Sequence, residues 1–263
     1  MNLSLSIRRV QLLLLTILFV AATTAAAQSE SRLYTYSTLD GLLAGVYDGE
    51  LTIAHLHSKG NFGLGTFNHL NGEMVLLDGI CYHVRADGTV SVARPQDKSP
   101  LAYATHFRPT QAIRPERVLP LPELEKWLDT HLRNKNLFYA IRIEGRFRDV
   151  SVRAIAAQVE PYKPLSEIVG TQVVRNYSET RGVLVGFRSP AFSRSISVSG
   201  YHWHFLTEDR KHGGHVLHIT VENAGVQFNE LAGLDLELPR TEVFANSDQT
   251  KDRAKEVKRV EGE

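Results

Sequence analysis

A histidine-rich segment in the C-terminal third of the chain limits its possible folds more than any other feature. Gly200–Phe205 (GYHWHF) has the composition of a strand, in which His202 and His204 point to the same face. A polar run that ends in Gly213-Gly214 follows, and such glycines are typical of turns. If the strand that begins at His215 forms a hairpin with the first strand, three imidazoles converge on one point.

Three convergent imidazoles with an open fourth position are typical of a catalytic zinc site. A single buried histidine usually belongs to the core, but a His-x-His strand with a third histidine after a glycine-ended loop favours metal ligands. We therefore predict that His202, His204 and His215 bind the metal. His212 lies in the polar turn, and His218 has the opposite strand parity to His215, so both are predicted to lie outside the site.

The first 27 residues have the pattern of a secretory signal peptide. Arg8 and Arg9 precede an apolar run from Leu12 to Val20, and Ala25–Ala27 offers a small-residue cleavage site. The apolar run is short for a membrane span, although an uncleaved N-terminal anchor is the alternative. We predict cleavage after Ala27 and export to the periplasm or the medium.

The mature chain is nearly neutral and carries one cysteine. Removal of Arg8 and Arg9 with the signal peptide changes the formal net charge from +1 to −1. A chain with this balance gives no electrostatic reason to bind nucleic acid or a charged membrane surface. Cys81 has no partner for an internal disulfide, so it is predicted to be a core thiol.

The remaining patterns predict a β-rich mixed α/β fold with two sheet-based lobes and few helices. Asn71-Gly72 and Asp87-Gly88 are hairpin signals. The lobes are predicted to span residues 28–160 and 161–263, joined at a proline-containing connector and working as one functional unit, with the metal hairpin in the second. The predicted helices are 37–46, with Ser37 as N-cap, and 120–132; the predicted strands include 51–56, 66–70, 73–77, 137–143, 146–154, 182–187, 196–206 and 234–238.

Several polar or glycine-rich features have two readings from the residues alone. Gly60–Phe67 lacks the lysine and the following helix of a phosphate loop, so its glycines favour close backbone packing. Glu73 shares a strand face with two apolar residues, which places it either beside a site or at the wet end of its strand. Arg153 lies on a mixed face, where an arginine is usually solvated. The charged tail from Thr250 is predicted to be helical, and solvated or frayed.

These segments together resemble the alpha-acetolactate decarboxylase family over about residues 35–261. The histidine block Gly200–Leu206 with Asp209–His215 is the most specific part. The other parts are Gly60–Phe67 with Asn71–Met74, Arg153 before Pro161–Leu165, and Gly186–Pro190.

The resemblance implies conversion of 2-acetolactate to acetoin and carbon dioxide by a zinc-dependent enzyme, a homodimer that acts on a small molecule. It implies that His202, His204 and His215 bind the zinc ion. Further active-site residues implied by position are Glu73, Arg153 and Glu261 as polar catalytic groups, with Thr66 and Arg153 lining the substrate site. Either glutamate is a candidate for the proton transfers, and either is a candidate metal ligand in the absence of substrate.

Two other functions fit parts of the pattern. His202-x-His204 followed by Glu208 is similar to the first half of a cupin metal motif, which would indicate iron and dioxygen chemistry. However, His215 follows Glu208 too closely for the second cupin motif. An exported zinc-binding or ligand-binding protein without catalysis is the other alternative, although such a site usually has a fourth strong ligand.

Overall fold

The computed structural model describes residues 31–261, which belong to one compact unit. The strands of this part are β1 (Arg32–Tyr36), β2 (Leu51–Thr52), β3 (Phe62–Thr66), β4 (Glu73–Leu77), β5 (Ile80–Val84), β6 (Val90–Val92), β7 (Lys98–Ser99), β8 (Ala102–Thr105), β9 (Gln111–Ile113), β10 (Leu119–Pro120), β11 (Phe138–Ala154), β12 (Val173–Ser189), β13 (Gly200–Thr207), β14 (Gly213–Leu231) and β15 (Gly233–Glu237). Its α-helices are α1 (Leu39–Leu43), α2 (Ile53–Lys59), α3 (Leu121–His131), α4 (Leu165–Ile168), α5 (Glu242–Asn246) and α6 (Ala254–Glu261). Short 3₁₀ turns lie at Asn68–Leu70, Val169–Thr171 and Ala191–Ser193.

The first large sheet has seven strands in the order β15-β1-β8-β3-β4-β5-β6. Its strands pair antiparallel, apart from β1 and β15, which are parallel. A Cβ atom on Gly63 of β3 would lie 2.2 Å from the carbonyl oxygen of Tyr103, and one on Gly65 would lie 2.3 Å from that of Leu101. The glycine-rich stretch therefore serves close backbone packing, as the sequence predicts.

The second large sheet has the order β10-β14-β11-β12-β13, with β9 added beside β14. Its three long strands β11, β12 and β14 have 17, 17 and 19 residues. The first residues of β14 also pair with β13, so β11, β12, β13 and β14 close into a ring of hydrogen-bonded strands. The hairpin of β13 and β14, which carries the three candidate ligands, is thus held from both sides, because β12 pairs with β13 and β11 pairs with β14.

The two large sheets pack face to face around the main core. Leu64 and Val75 from the first sheet belong to one buried cluster with Val183 and Val185 from the second. In β4 the side chains alternate, so Glu73 shares the face of Val75 that is directed at the second sheet. The carboxylate that the sequence leaves unassigned therefore faces the interior of the molecule.

Each sheet is covered on its other face by a helix. Met74 and Leu76 of β4 pack with Ile53 and Leu56 of α2 in a second cluster. Leu124 and Leu128 of α3 pack with Phe147, Phe205 and Ile219 of the second sheet in a third. The order of layers is therefore helix, sheet, sheet, helix, and the predicted β-rich mixed fold with few helices is confirmed.

Four local predictions differ from the structure. The predicted strand 66–70 is wrong beyond Thr66, because β3 ends at Thr66 and Asn68–Leu70 form a 3₁₀ turn. Residues 51–56 are only partly a strand, because Thr52 accepts a hydrogen bond from the amide of His55 and begins helix α2. The N-cap of α1 is Thr38, which accepts from the amide of Gly41, and not Ser37, whose φ is 68°. The strand that carries the histidines begins at Gly200, because Ile196 donates to the carbonyl of Ser193 in a turn.

The boundary between the sheets does not follow chain order. Strand β11 precedes the connector at residues 161–165 but pairs with β12 and β14, which follow it. Strand β15, near the end of the chain, pairs with β1 at its beginning. The division between the sheets therefore does not fall at residues 160–161.

The predicted tail helix is α6, and it is packed rather than frayed. Val260 is buried in the main core, and Val257 packs against the same cluster. Cys81 is buried and reduced, as expected of a core thiol. Among residues 31–261, no helix is long and apolar enough to span a membrane, and the predicted signal peptide lies outside these described residues.

Candidate metal centre and active site

The three predicted metal ligands meet on the hairpin of β13 and β14. His204 lies directly opposite His215 in the antiparallel pairing, and His202 lies two residues earlier on the same face. One ligand nitrogen from each ring lies within 4.8 Å of the other two. Nε2 of His202 and Nδ1 of His215 are 3.2 Å apart. The prediction that this hairpin brings three imidazoles together is confirmed.

The turn between the strands sets their register. The amide of Thr207 donates to the carbonyl of His212 at 2.8 Å, and its hydroxyl donates to Oδ1 of Asp209 at 2.7 Å. The same hydroxyl accepts from the amide of His212 at 3.0 Å. A Cβ atom on Gly213 would lie 2.4 Å from the carbonyl oxygen of Phe205, so only glycine allows the two strands to approach there.

The donor set fits a metal ion. Nδ1 of His204 donates to the carbonyl oxygen of Met74 at 2.8 Å, which leaves its Nε2 available as a ligand. Two nitrogen ligands of a tetrahedral ion with metal–nitrogen bonds of about 2.05 Å are separated by about 3.3 Å. The 3.2 Å between His202 and His215 is close to that value.

The surroundings keep the three imidazoles neutral. Burial lowers the pKa of His204 to about 4, and burial lowers the pKa of His202 and His215 well below the ordinary value. The nearby Arg153 guanidinium lowers all three pKa values further. A neutral imidazole has a free lone pair, so the environment favours the form that binds a metal.

Glu73 reaches the histidines from the facing sheet. Its Oε2 lies 3.4 Å from Nε2 of His204, and its side chain is buried. Burial raises its pKa to about 7, against the opposite effect of the Arg153 charge. Its cross-strand neighbour is Thr66, which is also buried and donates its hydroxyl to the carbonyl of Gly72 at 2.7 Å. This hydrogen bond stabilises the connection between β3 and β4, which leads to Glu73.

Glu261 reaches the histidines from the end of the described chain. Its Oε2 lies 3.5 Å from Nε2 of His215, on the side of that ring away from the nitrogen near His202. The burial of the preceding Val260 anchors α6 and brings the glutamate to the cluster. The predicted position of Glu261 at the histidine site therefore agrees with the structure.

Arg153 is buried beside the histidines and belongs to their own sheet. It lies on β11 directly opposite His215, whereas the sequence placed it in a separate N-terminal lobe. Its side chain is 5 % exposed, and its Nε has no hydrogen-bond partner within residues 31–261. A buried, unsatisfied guanidinium nitrogen is a donor available to an anionic ligand.

Tyr103 is a neighbour of the site that sequence reasoning missed. Its ring lies edge-on to that of His202, with 6.3 Å between the ring centroids. Its hydroxyl donates to the carbonyl of Ile196 at 3.0 Å, and burial raises its pKa. The only signal in the sequence is its position on an alternating apolar strand, which does not distinguish it from other core aromatics.

The other polar candidates lie away from the cluster. Glu208 is exposed and forms an ion pair of 3.2 Å with Arg181, so the arrangement of a cupin metal site is absent from residues 31–261. His212 is exposed beside Tyr177, and His218 is exposed as well. The predicted exclusion of these two histidines is confirmed.

Comparison with known sequences indicates one family. The sequence model of the alpha-acetolactate decarboxylase family matches residues 33–251. The alpha-acetolactate decarboxylase of Bacillus subtilis strain 168 is 39% identical over 236 residues, covering 89% of this chain and 92% of the relative. That of Methanosarcina mazei is 38% identical over 229 residues, covering 87% of this chain and 80% of the relative.

Solved structures agree with this match. The crystal structure of alpha-acetolactate decarboxylase from Bacillus subtilis strain 168 superposes with a TM-score of 0.87, covering 89% of this chain and 100% of that one. A Staphylococcus aureus protein described as similar to alpha-acetolactate decarboxylase superposes with a TM-score of 0.82 at 29% identity, covering 88% of this chain and 99% of that one. With the sequence match and the fold in agreement, the chain belongs to the alpha-acetolactate decarboxylase family.

Proposed function

We propose that this enzyme uses a zinc ion to decarboxylate 2-acetolactate to acetoin and carbon dioxide. The observation that carries the proposal is one buried cluster in which Glu73, Glu261 and Arg153 surround three neutral imidazoles. A carboxy-lyase acting on a hydroxy-keto acid needs these groups: a cation for the carboxylate, acid/base groups for the protons and a stabiliser for the anion left by carbon dioxide.

His202, His204 and His215 would hold the zinc ion. Neutral imidazole is a preferred zinc ligand, and a set of three leaves a position for substrate. The chemistry that a bound zinc ion supplies is Lewis-acid stabilisation of the negative charge that develops on the substrate oxygens, worth several kcal/mol. The carbonyl of Met74 fixes the tautomer of His204 for this purpose.

Arg153 binds the substrate carboxylate. Its guanidinium is fixed by burial and offers an unsatisfied Nε, and the planar fork of arginine matches a carboxylate in two-point fashion. Holding the carboxylate in one orientation aligns the C–C bond that breaks with the ketone that accepts its electron pair. Carbon dioxide then leaves as a neutral molecule, so the interaction with Arg153 weakens as the product forms.

Glu73 and Glu261 carry the proton transfers together. Each glutamate lies beside a different histidine of the cluster: Glu73 beside His204, and Glu261 beside His215. The reaction consumes one proton, which must reach the carbon that has lost the carboxylate; a proton taken from the hydroxyl on that carbon during the reaction must be returned to oxygen by the end. The short distances of both carboxylates to the cluster support our assignment of the transfers to this pair.

The deciding experiment measures acetoin formed from racemic 2-acetolactate by the purified mature enzyme. We expect acetoin formation, its loss after the metal is removed with a chelator, and its return when zinc is added back. A folded, zinc-loaded protein that forms no acetoin would support the non-catalytic binding protein instead. Activity that returns only with iron and consumes dioxygen would support the oxygenase alternative.

The proposal extends to export and to a homodimer. The basic and apolar pattern of residues 8–27 supports export, and the family resemblance supports dimerisation. Mass spectrometry of protein recovered outside the cytoplasm should find an N-terminus at about Gln28. Light scattering of the mature protein should give twice the mass of one chain; a monomer mass, or an intact N-terminus, would contradict the respective extension.

A further inference from the structure

A cavity of about 470 Å³ lies between the C-terminal segment and the loop that precedes β13. One wall includes Arg194, Ser195, Val198 and Ser199 of the loop, and the opposite wall consists of residues 249–254 with Val257, Lys258 and Glu261. Asp40 of α1 contributes to the lining as well. The size falls in the ordinary range of small-molecule sites, so the cavity can admit a small organic acid.

One residue of this cavity also contacts the candidate metal centre. Glu261 lines the cavity, and its Oε2 lies 3.5 Å from Nε2 of His215. The same loop is tied to the site from another direction, because the carbonyl of Ile196 accepts the hydrogen bond of Tyr103, whose ring is beside His202. The cavity and the histidine cluster are therefore adjacent and share a wall residue.

The cavity carries cations that are available to an anion. Arg194 and Lys258 stand exposed on opposite walls and form no ion pair within 4 Å among the described residues. Arg253 lines the cavity at 8 % exposure; it pairs with Glu256 at 2.7 Å, but its Nε is buried and has no hydrogen-bond partner in residues 31–261. An unsatisfied buried donor on a cavity wall is an observation that itself indicates an anionic ligand.

Two carboxylates of the cavity, those of Asp40 and Asp252, interact with neighbouring protein groups. Asp40 is buried near Arg253 and Arg194, which lower its pKa against the larger effect of burial. Asp252 accepts a hydrogen bond from the amide of Ala254 at the start of α6. Lys251, a further cation of the wall, pairs with Asp248 at 3.4 Å. Among residues 31–261, the cations on the cavity wall that form no ion pair within 4 Å are Arg194 and Lys258, although Arg194 also interacts with Asp40 at longer range.

We propose that this cavity is the route by which the anionic substrate reaches the metal centre, with Arg194 and Lys258 attracting its carboxylate at the mouth. The inference rests on the proposed function, because that function makes the substrate a carboxylate. Arg253 provides a second contact point inside the cavity, and Glu261 stands where the cavity meets the histidines. Cations that line a cleft raise the rate at which an anion arrives, and salt weakens this effect.

The test compares Lys258→Glu with Lys255→Glu in the mature holoenzyme. Both lysines are exposed on α6 and the charge change is identical, but Lys255 does not line the cavity. In about 10 mM salt we expect Lys258→Glu to lower kcat/KM for 2-acetolactate by about tenfold, mainly through KM, and Lys255→Glu to change it less than twofold. In about 0.5 M salt the difference should nearly vanish. Arg194→Glu should behave like Lys258→Glu.

Binding of an unreactive acid gives a readout that does not depend on turnover. Calorimetric titration with 2-hydroxy-2-methylbutanoate should give a higher Kd for Lys258→Glu than for Lys255→Glu. The neutral amide of the same acid should bind the two variants with equal Kd. Equal kcat/KM and equal Kd in the two variants would overturn the inference, as would a fall in kcat with unchanged KM. If the wild-type enzyme forms no acetoin, the proposed function fails, and the titration still decides whether the cavity takes a carboxylate.

Discussion

His215 lies directly opposite Arg153 in the antiparallel pairing of β14 with β11. The pairing fixes the distance between a candidate metal ligand and the candidate carboxylate-binding residue through main-chain geometry, not through a side-chain contact. It also joins two sides of the closed strand ring, because His215 pairs with His204 across the hairpin as well. The relative positions of the three groups are therefore set by strand register.

Gly214→Ala should disturb this relationship. Gly214 has φ of 148°, and a Cβ there would lie 2.6 Å from the carbonyl oxygen of Arg153 and 3.0 Å from Cβ of Val152. We expect a loss of about 3 kcal/mol in the free energy of unfolding, together with weaker metal binding. Urea denaturation and metal analysis measure the two effects.

Gly225→Ala is the matched control for that substitution. Gly225 lies on the same strand, and a Cβ there would meet no atom within 4 Å. Its free energy of unfolding should stay within about 1 kcal/mol of the wild-type value. Equal stability and equal metal content in the two variants would show that the strand approach at Gly214 has no bearing on the site.

His204→Ala should abolish metal binding, because it removes the candidate ligand whose tautomer is fixed by the carbonyl of Met74. Loss of a direct ligand should exceed the roughly 10–100-fold reduction in metal affinity typical of outer-sphere partners. Elemental analysis of the purified variant should find little metal, and acetoin formation should fall in proportion. His218→Ala, an exposed histidine on the neighbouring strand, should keep both; metal retained in full by His204→Ala would exclude this ligand set.

Local pattern was sufficient to predict the histidine cluster. Strand parity places His202 and His204 on one face, and the glycine-ended turn returns His215 to them, so three residues within a short segment determine most of the geometry. The Asn71-Gly72 signal likewise predicts a hairpin that leads into β4, but the predicted two-residue turn is wrong, because residues 67–72 connect β3 to β4 and Thr66 is the residue paired with Glu73. Both features depend on contacts between residues close in sequence.

The rest of the site depends on pairings between distant residues, which periodicity does not reveal. Parity shows which face of β11 carries Arg153 but not that β11 pairs with β14. The carbonyl of Met74 is a main-chain group and has no sequence signature. The strand prediction for residues 53–56 rests on a short apolar run, whereas the spacing of three between Ile53 and Leu56 and the Thr52 cap both favour the observed helix.

Glu73→Gln should preserve the metal and reduce turnover. The amide keeps the size of the side chain beside His204 but neither accepts nor donates a proton as a carboxyl group does. We expect kcat to fall by about 10²–10⁴-fold with metal content unchanged, measured by acetoin formation and elemental analysis. Glu208→Gln, in an exposed ion pair with Arg181, is the control and should retain wild-type kcat. An unaffected rate in Glu73→Gln would remove this residue from the proton transfers.

Acid should destabilise the fold partly through His83, a buried residue outside the metal centre. Its ring stacks on Phe67 with 3.9 Å between centroids, and Nε2 donates to the carbonyl of Asn71 at 2.6 Å. Burial lowers its pKa to about 4, from about 6.5 in the unfolded chain. Between these two values the unfolded chain binds a proton that the folded chain does not, so stability falls as pH decreases from about 6.5 to about 4.

His83→Gln should remove this contribution, because the amide is still a hydrogen-bond donor for Asn71 but does not titrate. Denaturant unfolding of chelator-treated wild-type and variant protein should be compared at pH values from 7 to 4. The candidate metal-binding histidines are the same in both proteins, so the difference between the two pH profiles isolates His83. Across this window the wild type should lose about 1.4 kcal/mol more per pH unit than the variant. Parallel pH profiles for the two proteins would show that His83 protonates equally in the folded and unfolded chains, and that the acid sensitivity lies elsewhere.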